Sequence, residues 1–233
     1  MNAVITGATK GMGRAIAIKL AEAGYSLVIC SRDQSEIDSF CRQLMLNNPS
    51  IMATGLRTNC ADPAHVKAFA SFVKQHFGQV DVLINNVGIF NPASILDEDE
   101  SLMETHFQVN FHTAYTLCRI FGRQMRTNRS GYIINICSVA AISPVFEAGS
   151  YSVTKLALHG LTKVLRLELM HHNVKVTAIL PGSTLTNSWD GTTIADECFI
   201  AAEDIANAVM YCLSSSPGAN PEEIVIRPLS GQV

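Results

Sequence analysis

Asn2-Ala3-Val4-Ile5-Thr6-Gly7-Ala8-Thr9-Lys10-Gly11-Met12-Gly13 opens the chain, and its reading decides the fold. A short apolar run ends in a glycine-rich turn, and an amphipathic pattern follows over about 11–23. Small residues let such a turn bend tightly and approach a pyrophosphate, whose charge the N-terminus of the next helix attracts. The spacing is Gly-x-x-x-Gly-x-Gly. Gly7, Gly11 and Gly13 form the frame, with Thr9, Lys10 and Met12 between them. A glycine turn alone is a weak sign. Between the first strand and first helix of an alternating chain, it points to a bound nucleotide.

The alternation continues to the end. Apolar runs rich in Val and Ile lie at 2–6, 26–30, 51–57, 80–84, 131–137, 174–180 and 223–227. Helical patterns lie at about 11–23, 34–47, 63–77, 100–128, 150–172 and 203–214. Continuous apolar runs suit strands covered on both faces. Strand-helix repetition then predicts an α/β doubly wound Rossmann fold, a seven-stranded parallel sheet with helices on both faces. The whole of 1–233 reads as a single domain. Asp33 and Asp62 sit where helix N-caps belong, and Pro63 suits a first helical turn.

Composition narrows the function. With 48% hydrophobic and 16% charged residues, the chain can bury a substantial core. A net charge of −3 gives no electrostatic case for nucleic acid or an anionic membrane. No apolar run is long enough to span a bilayer, and the start lacks the pattern of a signal peptide. The seven cysteines are scattered and form no Cys-x-x-Cys, which suits reduced thiols in a cytoplasmic protein. His171-His172 reads as a helix end, and no metal site is expected.

The second strand leads into Ser31-Arg32-Asp33. NAD-binding Rossmann domains place an acid near this point to receive the ribose hydroxyls. Here Ser31 is neutral, and Arg32 joins Lys10 from the glycine turn. Two cations can embrace a 2′-phosphate, which predicts NADP(H) as cofactor. The helix-cap role accounts for Asp33.

Tyr151 and Lys155, in Ser150-Tyr151-Ser152-Val153-Thr154-Lys155, are four apart on a predicted helix and share one face. An ammonium beside a phenol favours the phenolate, so the pair is a candidate acid/base. Further motifs fall in order around it: Asn85-Asn86-Val87-Gly88 after the fourth strand, Asn110 in the next helix, Ser138 at the end of the fifth strand, and Pro181-Gly182 after the sixth. With the glycine turn, this set resembles the single-domain short-chain dehydrogenase/reductase family over essentially the whole chain.

The resemblance implies a role for each position. Tyr151 would be the general acid in carbonyl reduction, and Ser138 would polarise the substrate carbonyl. Lys155 would hold the nicotinamide ribose beside the tyrosine. Asn110 would hold a water linking Lys155 to solvent. Asn86, Val87 and Gly88 would contact the adenosine side. Pro181 and Gly182 would border the nicotinamide, with Thr184 or Thr186 holding its carboxamide. The sequence departs from the family pattern twice. Val87 replaces the usual alanine. Asn59, with Cys60 beside it, stands where an acid often contacts adenine.

The stretch of about 183–200 reads as a substrate lid, with Trp189 as a candidate wall or anchor. This lid and the ending Glu-Glu-Ile-Val-Ile-Arg-Pro-Leu-Ser-Gly are similar to bacterial sepiapterin-reductase-like members. They imply a small carbonyl substrate such as sepiapterin or a related dicarbonyl. Two alternatives stand beside it. One is a 3-oxoacyl-[acyl-carrier-protein] reductase, with Arg119, Arg123, Arg126 and Arg129 facing an acidic carrier. The other is a non-catalytic NADP-binding regulator, against which the intact Ser138, Tyr151, Lys155 and Asn110 set argues. The family also implies a homodimer or homotetramer.

Overall fold

The apolar runs become seven strands: β1 (Asn2–Thr6), β2 (Ser26–Ser31), β3 (Ala53–Arg57), β4 (Val82–Asn85), β5 (Gly131–Ile136), β6 (Val174–Pro181) and β7 (Glu223–Ile226). The computed structural model describes residues 1–189 and 191–231. All strand pairs are parallel, in the order β3-β2-β1-β4-β5-β6-β7. The helices between them are α1 (Gly11–Glu22), α2 (Gln34–Asn47), α3 (Pro63–His76), α4 (Glu100–Phe107), α5 (Thr113–Asn128), α6 (Gly149–Leu169) and α7 (Ala202–Ser214).

Alternate strand residues feed two cores. Ile5, Ile29 and Ile84 pack with Ile16 and Leu20 of α1, Ile37 of α2 and Val209 of α7. Val4, Val28 and Leu83 face the other way, against Phe69 of α3 and Leu117 and Phe121 of α5. Both sheet faces are therefore covered, which explains why the strands carry apolar runs instead of alternating patterns. Strand order reverses between β1 and β4. The crevice beyond their carboxyl ends is where doubly wound sheets take ligands.

Helix starts follow local chemistry. Asp33 caps α2, accepting from the backbone N–H of Ser35 at 2.7 Å and Glu36 at 3.1 Å. Asp62 caps α3 through Ala64 N–H at 2.8 Å, with Pro63 as its first residue. Asp99, unmarked in the sequence reading, caps α4 through Ser101 N–H at 2.8 Å. Helix α1 differs: it has no side-chain cap and no acid in its first turn.

Some boundaries move. The helix predicted over 100–128 is two helices joined by a π-helical turn, Gln108–His112, and Asn110 lies in that turn. Such turns concentrate at functional sites, because the extra residue re-aims side chains. The helix predicted over 150–172 ends at Leu169 and closes in a 3-10 turn at Met170–His172, with Asn173 at φ 55°. Strands β3 and β4 start two residues later than their apolar runs. Ile51 and Val80 are buried but stand outside the ladder, and apolar pattern reports burial, not pairing.

Among the described residues the cysteines are unpaired, and six of the seven are buried. Burial pushes the thiols of Cys118 and Cys137 up to about 12, so both stay protonated. No described helix is long and apolar enough to cross a membrane. No group of His, Cys, Asp and Glu among the described residues is arranged to hold a metal.

Candidate active site and nucleotide cleft

A cleft of about 890 Å³ opens over the carboxyl ends of β1, β2 and β4. Its floor is the glycine turn. Gly7 and Gly11 have φ of 65° and 51°, which side-chain-bearing residues adopt at a cost. Gly13 is fixed by space instead: a Cβ there would lie 2.1 Å from the Gly7 carbonyl oxygen and 2.5 Å from Asn86 Nδ2. Asn86 ties this turn to β4. Its Nδ2 donates to the carbonyls of Thr6 at 3.0 Å and Gly7 at 2.9 Å. Thr6 Oγ1 accepts from the backbone N–H groups of Asn86 and Val87, both at 3.0 Å. Asn86 Oδ1 is buried and has no partner among the described residues. The first N–H groups of α1 likewise have no side-chain acceptor, which suits them to an anion.

One wall of the cleft carries Ser31 and Arg32 from the end of β2, and the other carries Asn59 and Cys60. Asn59 Oδ1 accepts from Ala61 N–H at 3.1 Å, which shapes the turn after β3. Cys30 and Cys60 are both buried, and the neighbouring Cys60 thiol together with burial pushes Cys30 up. Lys10, which also lines the cleft, does not stand alone. Its Nζ is 2.8 Å from Glu36 Oε1, a residue with no role in the sequence reading.

The second group of residues gathers beneath Gly88. Lys155 is 4% exposed, and its Nζ donates to Ile136 O at 3.1 Å. A Cβ on Gly88 would stand 3.4 Å from both Lys155 Nζ and Asn110 Oδ1. Gly88 also lines the cleft, so the ammonium lies just under its floor. Asn110 uses its whole side chain to pin two neighbours. Oδ1 accepts from Ile89 N–H at 2.8 Å, while Nδ2 donates to Ile89 O at 3.1 Å and to Thr154 Oγ1 at 3.2 Å.

Tyr151 begins the face of α6 that ends in Lys155, whose Nζ is 5.7 Å from the tyrosine ring centre. Two aromatic rings meet Tyr151 edge-on: Phe90, centres 4.9 Å apart, and His106, at 6.3 Å. His106 is buried. Its Nδ1 is 2.7 Å from Ser150 Oγ, and its Nε2 has no partner among the described residues. Burial holds the His106 imidazole below its ordinary range, against a smaller opposing pull from Glu98. Glu98 also accepts from Ser150 N–H at 3.2 Å. Ser138 follows β5 in extended backbone, and its Oγ accepts from Ala140 N–H at 3.1 Å. Phe90, His106 and Glu98 escaped the sequence reading, because nothing local marks a residue that acts only by touching α6.

The carboxyl end of β6 supplies the rest. Gly182 N–H donates to Ile226 O at 2.8 Å, fixing Pro181-Gly182 against β7. Thr184 is buried with its hydroxyl on Gly182 O at 2.9 Å. Thr186 lines the cleft, and its methyl would stand 3.0 Å from a Cβ on Gly11. Trp189 packs on Phe199 with ring centres 4.9 Å apart, which anchors this part of the stretch expected to be a lid. The cleft wall reaches Gly88 and Thr186, but Ser138, Tyr151, Pro181, Gly182, Thr184 and Trp189 lie outside it.

A glycine cradle at the switch point of a doubly wound sheet, with a Tyr-Lys-Asn cluster beneath it, defines a dinucleotide-dependent class of protein. The family described as short chain dehydrogenase matches residues 1–196, and the chain belongs to it. An uncharacterized oxidoreductase from Staphylococcus epidermidis is 31% identical over 227 residues, covering 97% of this chain and 96% of that protein. L-sorbose reductase from Gluconobacter frateurii, solved with NADPH and L-sorbose, superposes with a TM-score of 0.88. It is 27% identical and covers 97% of this chain and 94% of that one. A metagenomic short-chain oxidoreductase solved with NADP gives a TM-score of 0.83. It is 28% identical, with 98% and 96% covered.

Proposed function

We propose that the protein is an NADP(H)-dependent oxidoreductase that reduces a carbonyl to an alcohol. The observation that carries this reading is the position of Lys155 Nζ, directly under the Gly88 floor of the cleft and one helical turn from Tyr151. The cleft residues fit a dinucleotide. Uncapped N–H groups of α1 and the glycine turn suit its pyrophosphate, and Lys10, Ser31 and Arg32 suit a 2′-phosphate. When bound, the nicotinamide supplies the hydride.

This chain's own residues account for the remaining work. Tyr151 gives its proton to the carbonyl oxygen as negative charge grows there. Ser138 Oγ accepts from Ala140 N–H, which leaves its own proton to donate to the same oxygen. Lys155 has three N–H donors and one is held by Ile136 O, so the others serve a ribose hydroxyl and the phenol. Asn110 holds the Ile89 backbone and the Thr154 hydroxyl, which itself donates to Tyr151 O, in register around that ammonium. Thr186, which lines the cleft, is the better placed of the two threonines for a carboxamide.

Phe90 beside Tyr151, with exposed Ile95, Leu96, Val145 and Phe146 on the neighbouring loops, supports a carbonyl with an apolar or flat face. Trp189 is held by Phe199, so Phe90 is the aromatic wall of this reading.

The test is Tyr151→Phe, which keeps the ring contacts and removes the proton. Turnover over a panel of pterin, diketone and acyl-thioester carbonyls, followed by NADPH absorbance, should fall by at least about 10²–10³-fold. NADPH affinity should stay within about threefold, because only one hydroxyl is lost. Undiminished turnover would overturn the assigned acid.

A further inference from the structure

Glu36 stands inside the subsite suited to a 2′-phosphate. Its place three residues after Asp33 suggests a partner in helix capping, but Asp33 makes the cap itself. Both oxygens of Glu36 turn to the glycine turn instead. Oε1 pairs with Lys10 Nζ at 2.8 Å, and Oε2 accepts from Thr9 Oγ1 at 3.2 Å. Thr9 Oγ1 in turn lies 2.8 Å from Ser31 Oγ. One carboxylate therefore ties together Lys10, Thr9 and, through Thr9, Ser31, while Arg32 is exposed beside them.

We propose that Glu36 sets how strongly the cleft discriminates a 2′-phosphorylated dinucleotide from an unphosphorylated one, an inference that rests on the NADP(H) reading of this cleft. A phosphate monoester carries roughly −1.5 to −2 charges near neutral pH. It is drawn to Lys10 and Arg32, but it meets Glu36 as a like charge and competes with it for Lys10. A 2′-hydroxyl is neutral and can donate a hydrogen bond to the same carboxylate. The residue thus weakens the phosphate and favours the hydroxyl, so this cleft also admits NAD(H). The Lys10 and Glu36 side chains are 60% and 37% exposed, and solvent keeps the effect moderate.

The experiment needs no turnover. Glu36→Gln keeps the size and an oxygen for Thr9 but removes the charge. Dissociation constants of 2′,5′-ADP and 5′-AMP are measured by calorimetry for wild type and variant. The salt is about 0.01 M and then about 1 M, where the screening length is roughly 30 Å and 3 Å. At low salt the variant should bind 2′,5′-ADP roughly tenfold more tightly, with 5′-AMP changed by less than about twofold. The difference should collapse at high salt. Glu36→Ala gives the same sign and guards against a folding defect peculiar to one variant. Unchanged or weaker 2′,5′-ADP binding, or an equal gain for 5′-AMP, would overturn the proposal. Wild type that binds 2′,5′-ADP no better than 5′-AMP would instead defeat the NADP(H) reading, whatever the variants do.

Discussion

The nucleotide cleft and the Tyr151 cluster of this molecule are built by different means. The nucleotide end is mostly backbone: a glycine turn, an uncapped helix start and one asparagine that clamps them to β4. Most of its parts lie close in sequence, within 7–36, with residues 58–61 and 86–89 adding to the walls and Thr105, Val109 and 186–188 closing the far side. The Tyr151 cluster is mostly side chains. Asn110 comes from a π turn, Ser138 from the end of β5, Tyr151 and Lys155 from α6, and Phe90 from a loop. A backbone site tolerates almost no added atom where chain meets chain. A side-chain site tolerates substitutions but loses its alignment.

Gly13→Ala is the harshest way to break the nucleotide end. A Cβ 2.1 Å from the Gly7 carbonyl oxygen cannot be accommodated by side-chain motion, because the clashing atom is backbone. The expected loss is about 3 kcal/mol or more of stability, read as a lowered denaturation midpoint, together with lost nucleotide binding. A variant as stable as wild type, with normal affinity, would show that the turn is not a fixed frame.

The Tyr151 cluster should break more quietly. Asn110→Ala removes the pin on Thr154 and on Ile89, a residue of the cleft wall, but leaves Lys10, Ser31 and Arg32 untouched. Turnover should fall on the order of 10²-fold through misplacement of the Lys155 neighbourhood, while 2′,5′-ADP affinity stays within about twofold. Equal losses in both measurements would erase the distinction between the two ends.

The smallest effect concerns pH. Burial depresses the His106 imidazole, so the folded state resists protonation more than the unfolded chain, whose histidines titrate near pH 6.5. Above that pH the contribution to stability is complete. It is lost as pH falls from the unfolded value through the lower folded one, since the unfolded chain then binds more protons. Thermal scans should show Tm dropping between pH 7 and pH 5, by on the order of 2 °C more than in His106→Asn. Parallel curves would remove His106 from the acid response.

How legible each end was follows from its construction. Gly7, Gly11 and Gly13 announce their turn because only small residues can make it, and local sequence carries that information. The caps at Asp33 and Asp62 were legible for the same reason. Tyr151 and Lys155 were visible as a helical pair, but their distance from Gly88 was not. Glu36 was hidden by its resemblance to a helix-start acid, although its side chain crosses to another element. His106 and Phe90 carried no signal, because a contact across the fold leaves no spacing in the chain.

By itself the sequence determined the alternating strands and helices, the parallel sheet and the cradle at its switch point, because these depend on periodicity and on local backbone conformation. Tertiary structure alone decided three things. It split the helix expected over 100–128 at Asn110, it brought Lys155 under Gly88, and it turned Glu36 onto Lys10. The physical reason is the same each time. Those outcomes depend on which surfaces of distant elements meet, and packing of the whole core fixes that choice.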